Sequence, residues 1–452
     1  MTTRDDILKR LKEEKVNNIR LWFTDVMGRN KNVEVPMSQI DKALDGQILF
    51  DGSSIEGFSR IEESDMLLVP DYETFVIFPE EIRGNGKNGG GKNERVARLI
   101  CDVKNPDGSP FAGCPRGVLR SQTEKAAKLG YKMFVGPEAE FFLFERDALG
   151  RATTNTHDRG GYFDLTPIDK GEEARRAIVE VLEAVGFEVE AAHHEVADGQ
   201  HEIDFKYAEA LETADNIATF RFVVRKVALD YGLHATFMPK PIFGINGSGM
   251  HCHQSLFTMD GKKNVFYDPK AVYQISDIGK WYIGGLLRHA RGFCAITNPL
   301  VNSYKRLVPG YEAPTLIAWS ERNRSPLVRI PDRRGDGTRA ELRCPDPSCN
   351  PYLAIAVMLA SGLDGIQNRI DPGPPTNRNV YEMNEEEMKK LGITSLPGSL
   401  LEAVETLEAD QLMRETIGNH IAERYIAAKR EEWHEYIAQV HQWELDRYLA
   451  SY

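Results

Sequence analysis

His193-His-Glu195-Val-Ala-Asp198-Gly199-Gln-His-Glu202-Ile-Asp204-Phe205 is the stretch from which the rest of the chain can be read. Asp-Gly between β-compatible residues predicts a two-residue hairpin turn, with glycine suited to the positive φ of type I′. A turn centred there puts Glu195 directly opposite Glu202, with Cβ atoms roughly 5 Å apart. Two residues along, His193 faces Asp204 on the same side. Like charges directly opposed destabilise a sheet. The hairpin therefore either lies at the surface with its carboxylates relaxed in water, or holds something positive.

Similar tension recurs on both sides of it. In Gly136-Pro-Glu138-Ala-Glu140-Phe-Phe142, a strand would point Glu138 and Glu140 to one face. Paired carboxylates repel and are costly to desolvate, which a divalent cation or a solvated edge strand would relieve. Asn246-Gly-Ser-Gly-Met-His251-Cys-His253-Gln-Ser255 reads as a glycine turn and then a strand with both histidines on one face. Each alone would be an ordinary hydrogen-bonded core histidine. Eight arginines lie between Arg306 and Arg343. The planar guanidinium suits phosphate or carboxylate. Arg339-Ala-Glu341-Leu-Arg343 puts three charges on one strand face, as an anion site or an interstrand salt-bridge ladder.

The whole chain sets the bounds. Its 452 residues allow two or three domains. A hydrophobic fraction of 41% and a charged fraction of 27% exclude a mostly disordered chain and a polytopic membrane protein. The net charge of −12 leaves no overall footprint for nucleic acid. Six cysteines without a C-x-x-C pair suggest neither a zinc site nor a disulfide framework. Residues 2–15 carry no signal-peptide h-region, and the apolar run 353–363 is about half a membrane span. A cytoplasmic protein is expected.

Residues 3–11 predict a capped helix, and strands are expected at 18–24, 33–36, 74–78 and 95–103. The turn-rich stretch 105–115 gives the best boundary, dividing the chain into 1–110 and 111–452. Beyond it, 131–144 is strand-rich. Helices are expected at 119–129, 172–185, 208–231, 278–296 and 351–366. Residues 400–449 read as mostly helical, broken near Asp410 or Gly418. Gly86-x-x-x-x-Gly91-Lys92-Asn93, within a basic glycine-rich loop at 84–93, only imitates a P-loop. It ends in Asn instead of Ser or Thr, and a strand pattern follows where a helix is needed.

Five motifs in order make the chain resemble glutamine synthetase of the bacterial and archaeal type I family, over nearly its whole length. They are Phe50-Asp-Gly-Ser-Ser-Ile-Glu-Gly-Phe58, Gly136 to Glu140, Asn246 to His253, Lys305-Arg-Leu-Val-Pro-Gly-Tyr-Glu-Ala-Pro314, and Asn323-Arg-Ser325 through Arg343. The resemblance implies an α+β fold: a small β-grasp-like N-terminal domain and a large catalytic domain with an open antiparallel β-barrel flanked by helices. It also implies ATP-dependent ligation of ammonia to the γ-carboxylate of glutamate through γ-glutamyl phosphate. Two divalent metals are implied, one on Glu140, Glu195 and Glu202, the other on Glu138, His251 and Glu341. Oxygen and imidazole donors suit Mg²⁺ or Mn²⁺.

By the same resemblance, Arg324, Arg329 and Arg339 contact phosphates, and His253 and Ser255 lie along the nucleotide. Asn246, Gly247, Arg306 and Arg343 bind glutamate. Asp51 with Ser54, donated by a neighbouring subunit, forms the ammonium site and takes its proton. Glu312 closes as a flap. Arg60 matches an arginine of glutamine feedback inhibition. Tyr381 aligns with the tyrosine of adenylylated members, but its surroundings differ, so adenylylation is not expected. A dodecamer of two hexameric rings is implied. The C-terminal aromatics Trp433, Tyr436, Trp443 and Tyr448 would lie between rings or pack on their own subunit. A regulatory protein partner is compatible with catalysis. The alternatives are a γ-glutamyl-polyamine ligase, which needs no ammonium site, and a non-catalytic regulator-binding relative, which would lose metal ligands. A metal-dependent hydrolase without ATP would leave the arginines unexplained.

Overall fold

The computed structural model describes residues 1–53, 55, 57, 65–79, 95–377, 383 and 385–452. Helix Arg4–Glu13 starts at a capping box, in which Thr3 and Asp6 satisfy each other's backbone, and it buries Ile7 and Leu11, four residues apart. It lies beside a five-stranded sheet in the order Asn30–Pro36, Val16–Thr24, Arg95–Lys104, Asp65–Ile77, Ile48–Asp51. The central pair, Val16–Thr24 and Arg95–Lys104, runs parallel; the other neighbours run antiparallel.

Asp65–Ile77 is far longer than the expected strand at 74–78. Its middle, Pro70-Asp-Tyr-Glu-Thr74, is polar and bulged, because Asp71 faces the arginine that joins the sheet to the rest of the chain. Arg116 is buried and bonds Asp71 at 2.7 Å, Asp102 at 2.8 Å and Asp215 at 2.8 Å.

Two further sheets build the catalytic wall. One runs Ala208–Glu209, Tyr131–Ala139, Met250–Thr258, Ala340–Leu342, Val328–Arg329, Trp319–Ser320. The other runs Leu233–Thr236, Phe141–Arg146, Gln200–Phe205, Val189–His194, with Ala152–Thr156 also on Phe141–Arg146. The strand-rich stretch 131–144 holds two strands in different sheets, hinged at Glu140. There the Glu140 N–H donates to Gly249 O at 3.1 Å as the last rung on the Met250–Thr258 side, and Phe141 passes to His201 of the other sheet. The hinge bends the wall into a barrel-like curve and puts Glu140 where the sheets meet.

Helices cover the outside. Helix Ala210–Asp230 starts two residues later than expected because Ala208 and Glu209 pair with Val135 and Phe134. Helices Asp277–Thr297 and Pro351–Gln367 pack backbone to backbone: a Cβ on Gly285 would lie 2.0 Å from Ser361 O. The C-terminal segment breaks at both Asp410 and Gly418 and again before His441, giving Leu400–Ala409, Gln411–Ile417, Asn419–Ile437 and Gln442–Tyr448. Trp433 packs against its own subunit, whereas Trp443 and Tyr448 are exposed. All six cysteines are buried and unpaired. Among the described residues no helix is long and apolar enough to cross a membrane.

Candidate active site

The hairpin differs from the expected one. Glu202 pairs with His193, not Glu195, and Asp204 pairs with Ala191, not His193. The loop has four residues, 196–199, closed by Glu195 N–H donating to Gln200 O at 2.8 Å. Gly199 does take positive φ, at 69°, but as the last loop residue. Its N–H is drawn to Asp158 Oδ1 at 2.9 Å, a partner about forty residues away in sequence. The pairing slips by two residues, which preserves the facing of every side chain. Glu195 and Glu202 therefore still converge, each within 3.6 Å of the His193 ring.

Glu140 completes this group from the hinge. Its Oε2 accepts from Gln200 Nε2 at 2.8 Å and from Gly249 N–H at 2.9 Å. Burial and the charge of Glu195 push Glu140 up to about 8. Burial and Glu202 push Glu195 up to about 7. Burial and Glu140 push Glu202 well above the carboxylate range. His193, Glu195 and Glu202 each offer one atom within 4.8 Å of the others, a spacing that can hold a metal.

The second group sits across Met250–Thr258. His251 pairs with Glu138 and His253 with Glu341 in the ladders. As the period of two predicts, both histidines reach one carboxylate: His253 Nε2 lies 2.6 Å and His251 Nδ1 3.4 Å from Glu138. Burial opposes ionisation of Glu138, but these two hydrogen bonds outweigh it and hold it far below the carboxylate range. Burial and Arg343 push His251 down to about 4, a neutral imidazole. Glu341 is buried between Arg329, at 2.8 Å, and Arg343. Glu138, His251 and Glu341 also bring ligand atoms within 4.8 Å.

The nucleotide candidates line a cleft of about 390 Å³, which includes His253, Ser255, Arg339, Phe134 and Tyr207. Arg339 Nε donates to His253 Nδ1 at 3.0 Å, and because His253 pairs with Glu341 across the ladder, this bond lies on the strand face expected to hold Arg339, Glu341 and Arg343 together. Arg324 is exposed and hydrogen-bonded to Tyr162. Asn246 donates to Glu312 at 3.3 Å, and Glu312 stands exposed at φ 59°. A Cβ on Gly247 would lie 2.2 Å from Pro239 O, so only glycine fits that approach. Arg306 is buried with hydrogen bonds to the carbonyls of Cys344 and Arg343, and Arg343 is paired with Glu341. Asp51 ends an edge strand of the N-terminal sheet and accepts from Ser53 at 2.6 Å. Among the described residues none of its hydrogen bonds reaches the two carboxylate groups. Ser54, Arg60, loop 84–93 and Tyr381 lie outside the described residues.

Three features carry no motif that sequence reasoning used. Tyr162 and Phe163, after Gly160-Gly161, set their rings edge-on to His193 at 5.5 and 4.8 Å. Two exposed aromatics after a glycine pair are the signal that could have found them. Lys240 is buried beside Arg306. Behind the hairpin, His157, Asp158, Asp169 and His201 also converge. There Arg175 supplies the positive charge, lying 2.7 Å from Asp169 and donating to His201 Nδ1 at 2.9 Å. This group props the hairpin from outside.

Residues 112–448 match the glutamine synthetase catalytic domain and residues 15–106 its β-grasp domain. The glutamine synthetase of Thermus thermophilus is 63% identical over 451 residues, covering 100% of this chain and 99% of that one. The glutamine synthetase of Clostridium saccharobutylicum is 55% identical over 450 residues, with the same coverage. A solved structure titled GmaS/ADP complex superposes with a TM-score of 0.87 at 33% identity, covering 100% of both chains. Hinged sheets, two ligand groups on their inner wall and full-length likeness agree: the chain belongs to the glutamine synthetase family.

Proposed function

We propose that this chain ligates ammonia to the γ-carboxylate of L-glutamate, with ATP converted to ADP and phosphate. The observation that carries the reading is the convergence of His193, Glu195 and Glu202, within electrostatic reach of Glu140, beside Glu138, His251 and Glu341, next to a cleft of nucleotide size. The donor set fits divalent cations. Three buried carboxyls raise one another, and the imidazole of His193 with the charges of Arg306 and Arg343 does not bring them back to the carboxylate range. Glu140, Glu195 and Glu202 would hold one cation and Glu138, His251 and Glu341 the other; hard oxygen and imidazole donors suit Mg²⁺ or Mn²⁺. When bound, such cations stabilise the charge spread over a phosphoryl group in transfer.

The chain's own residues do the rest. Arg339 and His253, bonded to each other, orient the nucleotide with Ser255. Arg324 and Arg329 bind its phosphates. Asn246, Gly247, Arg306 and Arg343 seat glutamate, whose γ-carboxylate oxygen attacks the γ-phosphorus as ADP leaves. Glu312 closes over the acyl phosphate and excludes water, which would hydrolyse it. Ammonium, held by Asp51 and Ser54, gives a proton to Asp51. The free ammonia then attacks the acyl carbon, and phosphate leaves.

Because Asp51 hydrogen-bonds to Ser53 of its own loop and the family resemblance has it donated by a neighbouring subunit, we read the site as shared between subunits of a dodecamer, with residues 1–110 and 111–452 as its two domains. The exposed Trp443 and Tyr448 suit the contact between rings. Arg60 is the position proposed for glutamine inhibition, and the cytoplasm is the proposed compartment.

Phosphate release from ATP with Mg²⁺ and glutamate tests the reading, with ammonium, putrescine or neither added. Ammonium-dependent release with glutamine formed, abolished by Asp51→Ala, is expected. Release driven by putrescine alone would move the acceptor to a polyamine. No turnover under any condition would leave a binding role.

A further inference from the structure

Lys240 is 7% exposed, yet among the described residues no carboxylate pairs with it. Its ammonium instead donates to Ile245 O and sits 3.7 Å from the centroid of the Tyr311 ring. That is close for a cation over an aromatic face, in a setting with little water. Its backbone is fixed as well. Lys240 N–H donates to Asn302 Oδ1 at 2.7 Å, and Asn302 Nδ2 donates back to Lys240 O at 3.0 Å.

One residue thus ties three segments together, two through its side chain and one through its backbone. Ile245 precedes Asn246 and Gly247. Asn302 leads into Ser303–Arg306, which carries Arg306. Tyr311 precedes Glu312, whose positive φ and bond to Asn246 make it the strained tip of its segment. A buried ammonium needs partners, and here the Tyr311 face is one of only two kinds it has. Moving the 311–312 segment outward would strip that face away and leave the charge short of compensation.

We propose that Lys240 is a positioning residue that latches the 308–314 segment shut through the Tyr311 ring. It would thereby couple the seating of glutamate at Asn246 and Gly247 to the exclusion of water. The inference rests on the reading of Glu312 as the closing flap. Without the latch, water instead of ammonia attacks the acyl carbon of γ-glutamyl phosphate. Glutamate and phosphate are returned, and ATP is spent with no glutamine made.

Two readouts separate the latch from the flap chemistry. Amide hydrogen exchange over 308–314 reads the latch directly, and the ratio of phosphate released to glutamine formed reads its consequence. In the full-length protein, Lys240→Met and Tyr311→Leu are expected to speed exchange there by roughly thirtyfold, the strength of a desolvated cation–π contact. Both should also raise the ratio well above one. Tyr311→Phe keeps the aromatic face and should restore both readouts. If Lys240→Met does not fold, the two Tyr311 variants decide alone. Unchanged exchange in Tyr311→Leu, or a Tyr311→Phe variant that behaves like it, overturns the latch. Faster exchange with the ratio still at one, in Tyr311→Leu and in Glu312→Ala alike, would overturn the flap reading instead.

Discussion

Glu138 and Glu140 are two residues apart in the chain, and each anchors a group of three potential ligands, yet the two groups solve opposite problems. Around Glu138 the protein supplies its own positive charge. Two histidines bond Glu138, and Arg329 and Arg343 flank Glu341, so both carboxyls are held below their ordinary range. Around Glu140 that charge falls short. Arg306 and Arg343 favour ionisation of Glu140 and His193 that of Glu195, yet burial and mutual repulsion outweigh them, and Glu140, Glu195 and Glu202 are all pushed up. The first group is a finished piece of structure that can also accept a cation. The second carries carboxyls whose charge is under-compensated by the protein, so it gains more from a bound cation or from protonation.

Removing one carboxylate charge from each group should separate them most sharply. Glu341→Gln and Glu202→Gln should each lower activity by more than roughly a hundredfold, beyond what outer hydrogen-bond partners of a metal ligand cost. Their stabilities in chelator should move in opposite directions. Glu341→Gln leaves Arg329 and Arg343 short of a partner and should cost about 3 kcal/mol. Glu202→Gln relieves repulsion and should gain about 1 kcal/mol. Urea unfolding in EDTA checks both. A loss of stability in both variants would mean that the groups do not differ as described.

pH should expose the same contrast more gently. Glu140 and Glu195 titrate near about 8 and about 7 in the folded chain, against about 4.3 when unfolded. Raised values mean that the folded chain holds protons the unfolded chain has released. The stabilising contribution is full below the unfolded value and is lost as pH rises through about 7 and 8. In chelator, the thermal midpoint should therefore fall by several degrees between roughly pH 6 and 9. With saturating Mg²⁺ it should stay nearly level, because the cation replaces the protons. Parallel profiles with and without the cation would contradict the under-compensated state of the Glu140 group.

Much of this contrast was legible in the sequence, because a strand's period of two fixes which side chains share a face whatever the register. Glu138 with Glu140, His251 with His253, and Glu195 with Glu202 were grouped on that basis, and each pair contributes to the wall. Register itself was not legible. Asp198-Gly199 is a strong local turn signal, but Asp158 overrides it from a distant loop. The hinge at Glu140 was hidden for the same reason: from Phe141 on the chain pairs with His201, far along the sequence, instead of with Met250–Thr258. The strand at Asp65–Ile77 was underestimated because its polar centre serves Arg116. The charge balance was also beyond local reading. Nothing in Arg339-Ala-Glu341-Leu-Arg343 says that Arg339 turns to His253 while Arg329 comes from another strand.

The smallest expected effect tests whether the under-compensated group depends on its props. Asp158 Oδ1 accepts from Gly199 N–H at 2.9 Å and lies 3.2 Å from His194 Nε2, while Oδ2 accepts from Lys170 N–H at 3.2 Å. His194 Nδ1 donates to Glu195 O at 2.7 Å, so its other nitrogen meets a carboxylate only as a second donor. Burial opposes that charge on His194, but the bond to Asp158 outweighs it and raises the ring above its ordinary value. Asp158→Asn keeps the shape and one acceptor but removes the charge that holds His194 doubly protonated. The backbone at Glu195 should loosen, and the Glu140 group should bind Mn²⁺ about tenfold more weakly, the lower end for an outer partner. The Glu138 group does not touch Asp158 and should bind as before. A Mn²⁺ titration followed by electron paramagnetic resonance resolves two affinities. If both weaken together, the hairpin prop acts on the whole wall, and the independence of the two groups is lost. If only the weaker-compensated group responds, the four-residue loop is kept by Asp158 for the sake of one carboxylate, Glu195.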